Sequence, residues 1–96
     1  MWNEVTVDPT VAINKRVDVV VIYRRADEGT DTVMPYKMRY LGQDIIFKTM
    51  GLRHPTAQGK RMVHVFDVSD GMNDYRLEHD AERLTWLLVA MIPGAV

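Results

Sequence analysis

Residues 62–79 read MVHVFDVSDGMNDYRLEH, two β-rich runs on either side of a cluster of turn formers. Val63, Val65 and Val68 are β-branched, and Asp70-Gly71-Met72-Asn73 concentrates the residue types that reverse a chain. The spacing predicts a hairpin with strands over Met62–Ser69 and Asp74–His79. Charge selects its register. A two-residue Asp70-Gly71 turn would set Asp67 against Asp74, and like charges directly opposite destabilise a strand pair. With the turn four residues long, Ser69 faces Asp74, Asp67 faces Arg76, Val68 faces Tyr75 and Phe66 faces Leu77. The same register sets His64 opposite His79.

Period-two alternation extends upstream from this hairpin. Val17–Arg25 (VDVVVIYRR) reads as a strand and Ala26–Thr32 (ADEGTDT) as a polar loop. Met34–Tyr40 reads as a second strand, with Tyr36, Met38 and Tyr40 on one face and Lys37 and Arg39 on the other. A Gly42-Gln43 turn is expected to lead into a third strand over 44–52, with Lys37 opposite Lys48. Residues 53–61 are then a loop before the fourth strand. Residues 81–92 (AERLTWLLVAMI) fit two patterns. Asp80 can cap a helix with a Leu84, Leu87, Leu88, Met91 stripe. Equally, a strand from Thr85 sets Trp86 and Leu88 beside His79 and Leu77 across a four-residue loop. We read a strand, with a helix over 81–92 as the alternative.

The expected fold class is therefore all-β: a small, mainly antiparallel barrel or half-barrel of five to six strands. The alternative is an α+β fold with the C-terminal helix. The 96 residues suit one domain, with 1–14 an arm or short edge segment and 16–92 the β core. The first and last strands are apolar on both faces, so both faces need cover. Curling of the sheet, the N-terminal arm or a second copy would supply it, and a homodimer is expected.

Cysteine is absent, which removes disulfides, thiolate metal sites and thiol nucleophiles. No apolar run reaches the ~18–20 residues of a membrane span. The opening MWNEVTVDP shows no basic region followed by an apolar stretch, so no signal peptide is expected. A cytoplasmic setting with no membrane partner follows as the expectation. Net charge is −1, but it is distributed unevenly. Six basic residues lie between Met34 and Arg61 against Asp44 alone, and six acidic residues lie between Met62 and Glu82 against Arg76 alone.

The series Pro35-Tyr36-Lys37-Met38-Arg39-Tyr40-Leu41-Gly42-Gln43-Asp44-Ile45-Ile46-Phe47, then Tyr75-Arg76-Leu77, Asp80, Trp86 and Leu88, is similar to a bacterial pattern. It resembles small actinobacterial domains of unknown function that occur near Y-family DNA polymerases, over about Pro35–Leu88. Met38, Tyr40 and Gln43 stand where those domains usually carry an aromatic residue, a tryptophan and a basic residue. The resemblance implies a β fold and a link to DNA metabolism, with no assigned chemistry.

HPTAQGKR, residues 54–61, has the look of a phosphate-binding loop. A Walker loop places Gly-Lys-Ser/Thr five residues after its first glycine and opens a helix. Here Gly51 lies eight residues before Gly59, Arg61 replaces the hydroxyl residue and a strand follows. Nucleotide hydrolysis is excluded, and charge-based phosphate contact survives. Lys37, Arg39, Lys48, Arg53, His54, Lys60 and Arg61 are the candidate nucleic-acid or phosphate contacts, on a face suited to a single strand. His64 and His79 form the second candidate site, a cross-strand histidine pair. Glu78 and Asp80 fall on the opposite face, so a third metal ligand is missing and no metal is expected. No catalytic residue, nucleophile or cofactor motif is visible. The expected function is a non-enzymatic binding module for a protein partner or for itself, with single-stranded nucleic acid as the alternative ligand. Convergence of the six Lys and Arg side chains on one face would separate the two.

Overall fold

A computed structural model describes residues 10–25, 32–59 and 61–94. The fold is all-β, and the described residues form eight antiparallel strands. They are β1 (Val11–Arg16), β2 (Asp18–Arg24), β3 (Thr32–Tyr40), β4 (Gln43–Ile46), β5 (Thr49–Gln58), β6 (Arg61–Ser69), β7 (Asn73–Asp80) and β8 (Thr85–Pro93). Five form one sheet in the order β1-β8-β7-β6-β5, and three form a second in the order β2-β3-β4.

The chain passes between the sheets at two corners. At Val17 its amide donates to the Trp86 carbonyl, 3.1 Å, and β1 gives way to β2. At Phe47 and Lys48 the amides donate to Tyr36 O, 2.9 Å, and Ser69 O, 2.7 Å, so β4 and β5 lie in different sheets. The expected strand over 44–52 is thus bent over a corner, and the arrangement is a half-barrel or sandwich, not a closed barrel.

The β6–β7 ladder has the predicted register, from Ser69↔Asp74 through Asp67↔Arg76 and Phe66↔Leu77 to His64↔His79. Its turn is held by Asp70, whose Oδ1 accepts the amides of Met72, 2.8 Å, and Asn73, 2.7 Å. The Tyr75 hydroxyl donates to Asp70 Oδ2, 3.0 Å. Burial pushes the Asp70 carboxyl up, but these hydrogen bonds outweigh it and hold the group below its ordinary range.

Residues 85–93 are strand, so the C-terminal helix does not form. Asp80 does cap, its Oδ1 accepting the amides of Glu82, 3.0 Å, and Arg83, 3.2 Å. The chain cannot continue as a helix because Leu84 sits at φ 57° and reverses it. Pairing then runs from Asp80↔Thr85 through His79↔Trp86 to Leu77↔Leu88.

Three other expectations are corrected. The turn after β3 is Leu41-Gly42, both left-handed at φ 53° and 76°, closing Tyr40↔Gln43. That slip sets Lys37 opposite Ile46, and the Lys37–Lys48 pair does not exist. A bulge lies opposite Val20 and Val21, where β3 inserts Tyr36. Pro35 and Met38 are therefore buried while Tyr36 is exposed. Residues 53–58 are not loop. They extend β5 and pair with β6 from Arg53↔Phe66 to Gln58↔Arg61. Pro55 is tolerated because β5 is an edge strand.

The core lies between the sheets. Phe66, Met38, Leu77 and Leu88 are fully buried, joined by Phe47, Val68 and Tyr75. Burying such a side chain is worth about 1.5–3 kcal/mol. The exposed Arg76–Asp67 ion pair, 2.9 Å, belongs to a class worth under ~1 kcal/mol. Packing, not surface charge, holds the sheets together.

Candidate functional site

The histidine pair sits at the end of the core where the sheets open. Alternation aligns His64, Phe66 and Val68 of β6 on the core face, beside Tyr75, Leu77 and His79 of β7. His79 stacks on Trp86, and the Phe66 ring lies 5.4 Å from the same indole. A hollow of about 180 Å³ opens there, lined by Tyr23 and Val33 from the three-stranded sheet and by Arg53, His64, Phe66, His79 and Ala81. The Arg53 guanidinium lies 5.9 Å from the Phe66 ring centre. Burial, opposed by the Thr85 carbonyl and reinforced by His64, pushes His79 below its ordinary pKa. Among the described residues, no group of three His, Asp or Glu side chains is placed to hold a metal ion.

The candidate phosphate contacts do not share one face. Lys37 and Arg39 lie on the outer side of the three-stranded sheet and both reach Asp44, at 3.8 and 3.1 Å. Arg61 starts β6 with its side chain on the face away from the core, where it donates to Asp80 Oδ2. Arg53 is on the core side. Lys48 is at a corner, against Gly71, where a Cβ would meet its Cδ at 3.3 Å. The His54 backbone pairs with Val65, but its side chain lies outside the described set, as does Lys60.

Asp80 is a charged residue buried in the five-stranded sheet. Burial raises its carboxyl, but the Arg83 amide, the Arg61 charge and the Glu82 amide together hold it below the ordinary range. Its surroundings are Val63, its register partner, and the turn it caps. That is a structural role: one guanidinium and two amides occupy it.

On the outer side of the three-stranded sheet, Val20 and Ile22 of β2 and Ile46 of β4 are 48, 43 and 49 % exposed. Register aligns Val20, Lys37 and Ile46 in one row and Ile22 beside Met34 in the next. Asp18 closes one end of β2 and Arg24 the other. The two-sided apolar pattern of VDVVVIYRR was the signal for this surface, and the corner at Val17 decides which side stays open.

Comparison with protein-family models, curated proteins and solved structures gives no match.

Proposed function

We propose that this chain is a non-enzymatic β module that works by protein association in the cytoplasm, with the three-stranded sheet as its contact surface. The observation that carries this reading is the exposed apolar row of Val20, Ile22 and Ile46 on a sheet whose outer face nothing described covers. Contiguous exposed apolar surface rimmed by polar residues marks interaction sites. Division of the basic residues among several faces, with Lys37, Arg39 and Arg61 each near an acid, counts against a nucleic-acid groove. The partner chosen is a second copy of the chain, because the small core gains most from mutual cover. Sedimentation at micromolar concentration tests it. The expected species has about twice the 11.1 kDa chain mass, and a single species at 11.1 kDa overturns the reading.

A further inference from the structure

We infer that two copies join edge to edge through β2, antiparallel and centred on Val21, so that Asp18 of each faces Arg24 of the other. The inference rests on the association reading above for its partner, a second copy, and places the seam at the β2 edge, where the outward Val20 and Ile22 of the two copies meet.

The four sheet edges are not alike. β4 is only four residues long. β1 is kinked by Asn14 at φ 55° within a bulge and carries Lys15 and Arg16. β5 carries a bulge, Arg53 and Pro55. Short strands, bulges, prolines and charges are the features that stop edges from pairing. β2, DVVVIYR, has none of them in its middle, and among the described residues no strand pairs with its outer edge.

The sequence of β2 is self-complementary about Val21. Antiparallel pairing there sets Asp18 against Arg24, Val19 against Tyr23 and Val20 against Ile22, and each match occurs twice by symmetry. Neither Asp18 nor Arg24 has an ion-pair partner among the described residues, and Arg39, the register partner of Asp18, turns to Asp44. The bulge lies in β3, so alternation along β2 is unbroken and Asp18, Val20, Ile22 and Arg24 stay on one face. The shape agrees. An open hollow of about 430 Å³ flanks the start of β2, lined by Val17, Asp18 and Val19 and by Thr85 and Trp86. Tyr23, 75 % exposed at the far end of the strand, is the side chain this register delivers to that hollow on the second copy. Aromatic and β-branched cross-strand pairs such as Tyr23–Val19 are favourable.

The experiment is a charge-exchange cycle read by sedimentation over a concentration series. Asp18→Arg and Arg24→Asp alone should each weaken the dimer about tenfold or more, since like charges then meet twice. The double variant Asp18→Arg/Arg24→Asp should restore it. A second measurement avoids dependence on those folds. The chain has no cysteine, so Val20→Cys supplies one outward thiol per copy, and the two are diagonal neighbours about 7–8 Å apart. A short bismaleimide should crosslink them, and should leave Val11→Cys on β1 uncrosslinked. A wild-type dimer indifferent to both charge reversals, or one in which Val20→Cys fails to crosslink, overturns the register and leaves association standing. A monomeric wild type overturns both.

Discussion

The imidazole of His79 lies on the indole of Trp86, with ring centroids 4.4 Å apart and planes 25° from parallel. Its Nδ1 is 3.3 Å from the Thr85 carbonyl oxygen, to which it donates when that nitrogen carries the proton. Partial burial of the ring, with the facing His64 adding to it, makes the fold resist a proton on this imidazole.

Burial is the largest influence on His79; the Thr85 carbonyl and Asp80 oppose it, His64 adds to it, and the result lies below the unfolded value near 6.5. The folded state therefore binds this proton less readily than the unfolded state does, and stability increases with pH across the window between the two values. Its contribution is complete above about pH 6.5 and is lost as pH falls towards the folded pKa. Melting temperature measured from pH 5 to 8 should show that decline, and His79→Phe, which keeps a ring on Trp86, should flatten it. An unchanged slope would reassign the effect to other groups.

Arg61 and Asp80 form a partly buried ion pair, so Arg61 is not the dispensable loop charge its sequence neighbourhood suggests. Asp80→Ala removes the capping oxygen as well as the guanidinium's partner and should lower the melting temperature by several degrees. Asp80→Asn keeps an acceptor for the Glu82 and Arg83 amides and should lose less. Arg61→Ala should fall between wild type and Asp80→Ala. Thermal denaturation of the three variants ranks them directly, and a neutral Asp80→Ala would deny the residue its structural role.

Leu77 and Leu88 are register partners and both fully buried, so neither site can relax into solvent when shortened. Each Leu→Ala change should cost about 2–5 kcal/mol. Because the two side chains share one region of core, the double variant should depart from additivity by more than the ~0.5 kcal/mol seen for distant sites. Urea denaturation of the two single variants and the double variant checks this.

The β6–β7 hairpin was legible because three constraints agree: alternation, a turn cluster with a capping aspartate, and the charge penalty of the other register. The strand at 85–93 was legible for the same reason, since it extends an already registered neighbour. Three features lacked such a cross-check. Nothing local distinguishes a strand that bends at Phe47–Lys48 from one that stays straight, because Phe47 is apolar on either path. The bulge at Tyr36 shifts alternation by one residue, and an exposed aromatic is indistinguishable from a buried one in the sequence. The 53–58 segment carries a proline and many polar residues, features shared by loops and by edge strands. The histidine pair could be placed because it depends only on the legible hairpin. Convergence of the basic residues could not, because it depends on both corners.

The turn after β3 falls at Leu41-Gly42, one residue before the Gly42-Gln43 position that a glycine-first turn would take. A two-residue turn with both φ angles positive is the type whose right-handed twist suits a hairpin, and its first position favours Asn, Asp or Gly. Leu41 occupies that position at φ 53°, where an L side chain with a Cβ is strained, and it is 76 % exposed. Glycine at 42 accepts its own φ of 76° without such strain, so it is the second turn residue and not the first. Strand pairing of Tyr40 with Gln43, together with burial of Met38 and the Arg39–Asp44 ion pair on neighbouring rungs, holds Leu41 there against its preference. Leu41→Asn should relieve the strain and stabilise the fold by about 0.5–1 kcal/mol, because asparagine visits the left-handed region at lower cost. Gly42→Ala should do the reverse: a Cβ there meets nothing within 4 Å, so the cost comes from backbone conformation alone. Chemical denaturation should move the midpoint up for the first variant and down for the second with the slope unchanged. A destabilised Leu41→Asn would mean that the exposed leucine is held by a contact outside its own turn.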